Sequence, residues 1–478
     1  MRKLFGTDGI RAVAGEAPLD PKTIYAIGLA LAHSLRRATP TPSVVLGMDT
    51  RESSDWIAAM LSAGLREGGA EVASAGVITT PAIAFLAHTH GFAAGVVISA
   101  SHNPWQDNGI KIFGADGYKL ADEIELAIEE EIFRQLETVA APDAALLQAP
   151  PVNPSYRADY IQLLRDAVPG LSLAGQRIVV DCANGAASAI ASEIFTSLRG
   201  ASGSESSDSK PSGSEAGAGE IILTHASPDG RNINQNCGAL HAEVVAAEVV
   251  RNKADLGITF DGDADRALFA DARGNVVNGD AVMLLVARDL HARGQLANDT
   301  VVATTMSNMG LEAALGRSGI RMLRAPVGDK YVLEEMRRTG AVLGGEQSGH
   351  ILFFGPMPSG VKVTTGDGLL TALILLDILQ RAGKPLAELK ADLKVFPQVI
   401  VNVRVREKKP LDQIPSVAAA IRAAEDALDG NGRVVIRYSG TEALARVMIE
   451  AESEGAMRYH ADAIADAIRA ELGVPVQS

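Results

Sequence analysis

Two short segments of this chain carry side chains suited to phosphoryl chemistry. Ser101 stands in Ser99-Ala100-Ser101-His102-Asn103-Pro104, directly after the apolar run Ala94-Gly95-Val96-Val97-Ile98. That run reads as a buried strand. The serine is thus delivered to a loop at a strand end, where open α/β sheets bind ligands. Far downstream, Asp261, Asp263 and Asp265 alternate in DGDADR after a second such run, Leu256-Gly257-Ile258-Thr259-Phe260. In extended or turn backbone, positions i, i+2 and i+4 can face one way. Three carboxylates that close repel strongly unless a cation neutralises them. Oxygen-only ligands suit Mg²⁺ or Ca²⁺ rather than zinc. An EF-hand would need Gly at the sixth position of the loop and Glu at the twelfth, where Arg266 and Ala272 stand. The plainer alternative is a solvated acidic turn. A hydroxyl at neutral pH is inert without a base or an electrophilic partner. Serine and carboxylates together suggest phosphoryl transfer involving a hydroxyl beside a divalent metal. No GxSxG elbow surrounds Ser101, so acyl transfer is weakly supported.

Two further loops follow strand-like runs. Arg437-Tyr438-Ser439-Gly440-Thr441-Glu442, with Arg446 close in sequence, combines a Gly-containing turn, two hydroxyls and arginine. Such a turn can cradle an anion. Gly344-Gly345-Glu346-Gln347-Ser348-Gly349-His350 offers Glu346, Ser348 and His350 on flexible backbone, which suits sugar hydroxyls. Either could be an ordinary polar turn, and Asn103-Pro104 could make Ser101 a mere loop residue. Lys3, Thr7, Asp8, Arg11 and Lys111 are the remaining candidates. No GxxxxGK[ST] sequence is present, which argues against a nucleotide kinase of that class.

The chain has 478 residues, 47% of them apolar, enough for about three packed domains, with four also compatible with the length. Its net charge of −14 argues against nucleic acid or an anionic membrane as the main partner. An anionic small substrate stays open, because charges are screened beyond about 8 Å. It would need a local basic site, and the Arg437 segment offers one. Cys182 and Cys237 are the only cysteines, too few for a disulfide framework or a structural zinc site. The N-terminus lacks an apolar signal core, and the longest apolar run, Leu369 to Leu379, is short and contains Asp377. A soluble cytoplasmic protein is expected.

The elements that must position these loops alternate between strand and helix, the pattern of a mostly parallel sheet. Strands are expected at 43–48, 71–74 and 94–98. A helix capped by Ser53 carries Trp56, Ile57, Met60, Leu61 and Leu65 and ends at Gly68-Gly69, and another runs over 121–136. Ala140 to Pro154, rich in Ala and Pro, reads as a boundary. The pattern restarts with a strand at 177–181, a helix over 244–250 and the strand before Asp261. A third round has a strand at 300–304, helices near Leu311 and over 329–338, a strand at 341–343 and a helix over 367–380. The last ninety or so residues differ. They alternate strand 398–405, helix 416–428, strands 433–437 and 445–451, and helix 456–470, a small α+β domain. Gly200 to Gly219 is nearly all Gly, Ser, Ala, Glu and Pro and reads as a surface loop.

Taken in order, GTDGIR, SASHNP with DNGIK, DGDADR, GEQSGH and RYSGTE resemble the α-D-phosphohexomutases over nearly the whole chain. The resemblance implies three similar α/β/α mixed-sheet domains and a smaller α+β C-terminal domain, heart-shaped around a central cleft. Their boundaries fall at 1–150, 151–273, 274–386 and 387–478. It also implies that Ser101 is carried as phosphoserine and, with Asp261, Asp263 and Asp265, holds one Mg²⁺. Arg266 would sit beside the transferring phosphoryl group. Glu346 and Ser348 would hold sugar hydroxyls, with His350 nearby. Arg437, Ser439, Gly440 and Thr441, with Arg446, would clamp the phosphate that is not transferred. Lys111 and Arg11 are the candidates for acid–base assistance. A sugar 1,6-bisphosphate would be intermediate and activator.

Within the family, GEQSGH and Asn232-Ile233-Asn234-Gln235-Asn236-Cys237-Gly238 look like the branch that isomerises glucosamine 6- and 1-phosphates, ahead of UDP-N-acetylglucosamine and cell-wall synthesis. Mannose-specific members usually carry Met where Gln347 stands, and glucose or mannose phosphates are the alternative substrates. A binding protein without turnover and a metal-dependent phosphatase are the more distant alternatives. The implied partner is a small phosphosugar, with no nucleic acid and no membrane, and a homodimer is the assembly in view. Three features depart from the family: Ala12 and Ala443 replace the usual Gly and Pro, and the 200–219 segment is an insertion. None removes a catalytic group.

Overall fold

Strands precede both chemistry-bearing loops, and each is the inner member of a recurring unit. The computed structural model describes all residues except 1–2, 7, 141, 144–146, 201–216, 355–362, 430–431, 440–442, 452 and 475–478. The Gly200 to Gly219 expectation therefore lies mostly outside the described residues. The first sheet contains β1 (Ile10–Val13), β2 (Ser43–Met48), β3 (Glu71–Val77), β4 (Ala94–Ile98) and β5 (Asp107–Gly114) in the order β1-β5-β4-β2-β3. β2 runs parallel to β3 and β4, and β5 returns antiparallel beside β4.

The second sheet repeats this plan with β6 (Arg177–Asp181), β7 (Glu220–Thr224), β8 (Leu256–Phe260), β9 (Ala267–Asp271) and β10 (Val276–Val277), ordered β10-β9-β8-β6-β7. β6 is parallel to β7 and β8, and β9 is antiparallel to β8. The third has β11 (Thr300–Thr304), β12 (Arg321–Ala325), β13 (Leu343–Gly345) and β14 (Ile351–Phe353), ordered β12-β11-β13-β14. There β13 is parallel to β11 and antiparallel to β14. The Ser101, Asp261 and Glu346 loops thus leave topologically equivalent strands, β4, β8 and β13, and each is closed by a returning strand.

The strands β4 and β8 are buried at every position, which is why their sequences read as apolar runs rather than alternations. Helices supply the outer layers. The helix Pro21–Arg36 packs Ile24, Ile27 and Leu31 against Met60, Leu61 and Leu65 of the helix Ser54–Glu67. Each such side chain contributes about 1.5–3 kcal/mol by leaving water. Pro21–Arg36 was not anticipated, although Asp20 caps it by accepting from Thr23 N at 3.1 Å and Pro21 opens it. Ser53 does not cap Ser54–Glu67; its Oγ accepts from Asn108 Nδ2 at 2.8 Å instead. The strand expected at 341–343 lies at Leu343–Gly345, because its partner β11 draws the two glycines into the ladder.

The chain forms two compact units, residues 1–304 with 322–391, and 305–321 with 392–478. The second contains the antiparallel sheet of β15 (Gln398–Arg404), β16 (Gly432–Tyr438) and β17 (Leu444–Ala451), ordered β15-β17-β16. Helices Pro415–Leu428 and Glu454–Leu472 bury Val417, Ile464 and Ile468 against Val403, Val447 and Ile449. The helix Met309–Arg317 belongs to this unit. Asn308 fixes it there, donating to Phe396 O and accepting from Phe396 N.

Candidate active site

Ser101 sits one turn beyond β4 with its side chain almost fully buried and its backbone left-handed, φ +53°. Its Oγ donates to Asp261 Oδ2 at 2.6 Å, so two motifs 160 residues apart meet directly. The loop is held through its carbonyls. Arg51 Nη2 donates to Ser101 O at 3.1 Å and Asn103 O at 2.6 Å, and Asn234 Nδ2 reaches the same oxygens at 2.9 and 3.1 Å. Arg51 is itself paired with the buried Asp49. Gly262 lies so close that a Cβ there would stand 2.6 Å from Ser101 O, so only glycine lets the acidic loop approach the serine.

Asp261, Asp263 and Asp265 are buried, with ligating oxygens all within 4.8 Å of one another. The turn that aligns them has Ala264 left-handed at φ +55°. Asp263 Oδ1 and Asp265 Oδ1 are shut off from solvent without a hydrogen-bond partner. Buried carboxylate oxygens left in that state are costly, and a hard dication is the group that would satisfy them. Burial, reinforced by the charges of Asp265 and Asp263, holds the Asp261 carboxyl well above its usual range. The triad could therefore hold a metal ion.

Lys111, on β5, is fully buried. Its Nζ lies 2.7 Å from Asp263, 3.1 Å from Asp8 and 3.3 Å from Asp265. Burial works against its charge, but the three carboxylates outweigh it and raise its pKa. The charges continue around a ring. Asp8 pairs with Arg11 and with Lys119 at 2.5 Å, and Lys119 with Asp329 at 2.6 Å. His350 lies 3.6 Å from both Asp329 and Asp265 and closes the ring. Burial opposes protonation of His350, yet Asp265 and Asp329 raise its pKa. Burial likewise opposes ionisation of Asp265, but Lys111 and His350 hold its carboxyl well below the usual range.

Arg266 points its Nη1 to within 3.3 Å of His102 Nδ1, which is 3.3 Å from Ser101 Oγ. Burial, then Arg266 and Arg11, lower the His102 pKa to about 4, so the ring is neutral at physiological pH. Glu346 accepts from Gly328 N at 3.1 Å and from Ser348 Oγ at 3.2 Å, which fixes its carboxylate. Ala267 N donates to Gly349 O at 3.1 Å, tying the Glu346 loop to β9. Ser101, Lys111, Arg11, Arg266, the triad and His350 are therefore linked in one contact network, with Glu346 and Ser348 tied to it through β9.

In the second unit, Arg437 on β16 stands directly opposite Arg446 on β17, which pairs in turn with Asn402 on β15. The three line a cavity of about 350 Å³ with Met306, Ile400, Val435 and Met448. Two cations opposed across a sheet destabilise it unless an anion offsets them. Ser439 is buried, and its carbonyl accepts from Lys408 Nζ at 2.7 Å. Gly440 and Thr441 lie outside the described residues, as does Thr7.

Sequence reasoning missed Asp49, Arg51, Thr80, Lys119 and Asp329, and it quoted Asn234 within the Asn232 to Gly238 segment without giving it a positioning role. Thr80 Oγ1 donates to Asp263 Oδ2 at 2.5 Å. Two of them had a readable signal: Asp49 follows β2 as Ser99 follows β4, and Asp329 follows Gly328 at a helix start. The other four act through carbonyls or carboxylates whose positions only the fold reveals.

Four domain families match in order. They are phosphoglucomutase/phosphomannomutase α/β/α domain I over residues 2–138, domain II over 158–274, domain III over 278–396 and the C-terminal domain over 400–467. The chain belongs to the phosphoglucomutase/phosphomannomutase family, the α-D-phosphohexomutases, and is an isomerase of that kind.

More particularly, it is 59% identical to a phosphoglucosamine mutase of Koribacter versatilis, over 99% of this chain and 98% of that protein. It is 50% identical to a phosphoglucosamine mutase of Solibacter usitatus over 99% of each. In fold it is similar to a phosphoglucomutase/phosphomannomutase family protein of Burkholderia thailandensis, with TM-score 0.75 at 23% identity, covering 98% and 99% of the two chains. It is also similar to Aspergillus fumigatus N-acetylphosphoglucosamine mutase, solved with GlcNAc-6P and magnesium, with TM-score 0.65 at 18% identity, covering 98% and 96%.

Proposed function

We propose that this chain interconverts glucosamine 6-phosphate and glucosamine 1-phosphate through a phosphoserine at Ser101 and a sugar 1,6-bisphosphate. The observation that carries the chemistry is the 2.6 Å contact between Ser101 Oγ and Asp261, inside a buried carboxylate triad. The full-length likeness to phosphoglucosamine mutases at 59% and 50% identity supports the sugar.

In the first half-reaction the Oγ–P bond of phosphoserine breaks as the free hydroxyl of the sugar monophosphate bonds to phosphorus, and the proton lost by that hydroxyl is balanced by the one that restores the Ser101 hydroxyl. After the bisphosphate turns over in the site, its other phosphoryl group returns to Ser101. Phosphoryl transfer is mostly positioning and charge neutralisation. Asp261, Asp263 and Asp265, with an oxygen of the phosphoserine, would hold Mg²⁺, which when bound neutralises charge on the transferring group. Lys111, a candidate for acid–base assistance, is held protonated by three carboxylates and so offers positive charge more readily than it gives or takes a proton. Arg266 adds a second cation beside Ser101, and Arg11, fixed by Asp8, a third. His350 supports Asp265. Glu346 and Ser348 present a fixed acceptor and a hydroxyl to the sugar. Burial of Ser101 and the triad keeps competing water from the phosphoserine.

Arg437, Ser439, Gly440, Thr441 and Arg446 would clamp the phosphate that is not transferred. Losing one charge-assisted bond costs about 1.5–3 kcal/mol. Arg437→Ala is therefore expected to raise KM for either sugar phosphate by about tenfold or more, with a smaller change in kcat, in initial-rate kinetics.

The same reading carries the division at 1–150, 151–273, 274–386 and 387–478, a phosphosugar as the partner, a homodimer and a cytoplasmic location. Among the described residues no helix is long and apolar enough to cross a membrane. The deciding experiment is a coupled assay with Mg²⁺ and a trace of sugar 1,6-bisphosphate, comparing glucosamine, glucose and mannose phosphates. Preference for glucosamine phosphate is the expected result. Preference for glucose or mannose phosphate overturns the substrate, and phosphate release without isomerisation overturns the mutase.

A further inference from the structure

A second cluster of ligating side chains lies in the second sheet and shares no residue with the acidic triad. Asp181 is the last residue of β6, His225 follows β7, and Cys237 stands in the loop leading to the helix Ala242–Asn252. One ligand atom of each falls within 4.8 Å of the other two. Asp181 and Cys237 are fully buried, whereas the His225 side chain is 33% exposed, so the cluster lies one side chain from solvent.

His225 Nδ1 faces Asp181 Oδ1 at 3.2 Å and is shut off from solvent. That spacing is close to the edge of a tetrahedron with arms of about 2.0–2.1 Å. Asp181 is oriented from behind, accepting from Ala183 N at 2.9 Å and Gly238 N at 3.1 Å, as outer-shell bonds orient metal ligands. Two cysteines cannot build a cysteine-rich zinc site, but a mixed sulfur, nitrogen and oxygen set needs only one. Cys182 is not in the group.

We propose that Asp181, His225 and Cys237 form a binding site for a borderline-soft divalent cation of the Zn²⁺ type, with water as the fourth ligand. The sulfur suits such an ion better than Mg²⁺, which prefers an all-oxygen site. Cys237 binds as thiolate, so its S–H bond breaks and one proton leaves to solvent. The ion would pin the loop whose Asn234 holds the carbonyls of Ser101 and Asn103. This site is independent of which hexose phosphate the enzyme takes.

The test is a titration of the full chain with Co²⁺, in excess Mg²⁺ to occupy the triad, read by near-ultraviolet thiolate-to-cobalt absorption. One equivalent is expected to give the band in the wild type and in Cys182→Ser. The band is expected to vanish in Cys237→Ser, and His225→Gln to weaken binding by about tenfold or more. An oxygen-only site cannot produce this band. Its absence from the wild type, its survival in Cys237→Ser, its loss in Cys182→Ser or its indifference to His225→Gln would each overturn the site. His225 is partly exposed, so its variant remains readable if Cys237→Ser does not fold.

Discussion

Replacing Ser101 by alanine is expected to abolish mutase turnover, by a factor of about 10⁴ or more. The variant removes the hydroxyl that the proposed mechanism uses to give up and take back a phosphoryl group. His102 is the nearest nucleophile by contact, but its Nδ1 faces Arg266 at 3.3 Å. Two measurements check the prediction. Coupled initial rates should fall to background, and intact-mass analysis after incubation with sugar 1,6-bisphosphate should show phosphoryl transfer to the wild type only. Retention of a tenth of the wild-type rate would remove Ser101 from the mechanism.

The largest effect on stability is expected at Lys111. Its ammonium serves Asp8, Asp263 and Asp265 together, all within 3.3 Å. Lys111→Met keeps most of the volume and removes the charge. Breaking a buried pair leaves an uncompensated charge and typically costs about 3–5 kcal/mol. Denaturant unfolding should register a loss of that order. Added Mg²⁺ should recover part of it, because a dication at the triad replaces some of the missing positive charge. A loss below about 1 kcal/mol would mean that these carboxylates do not depend on Lys111.

Much of this was legible in the sequence, for a specific reason. β4 and β8 are buried on both faces, so their apolar composition survives as an uninterrupted signal. The Ser101 and Asp261 loops follow them directly. The returning strand β5 was hidden because its polar members, Asn108 and Lys111, are buried through partners contributed by other segments. No local pattern predicts such a strand. The clamp on the Ser101 carbonyls was equally invisible, because Arg51 and Asn234 are remote in sequence and bond to backbone rather than to side chains. The threefold alternation of strand and helix was readable, but the returning strand that closes each loop emerges only from the register. That repeated plan explains why the serine, the carboxylate triad and the Glu346 loop occupy corresponding places.

The left-handed backbone at Ser101 implies a trade-off between durability and activity. A residue with a Cβ held at φ +53° costs about 1 kcal/mol or more relative to glycine. Glycine returns part of that through the greater entropy of its unfolded chain. Ser101→Gly and Ser101→Ala would both be inactive, yet the glycine protein should be the harder of the two to unfold. Selection for stability alone would have placed glycine there. On the proposed mechanism, the hydroxyl persists at a conformationally unfavourable position because turnover requires it.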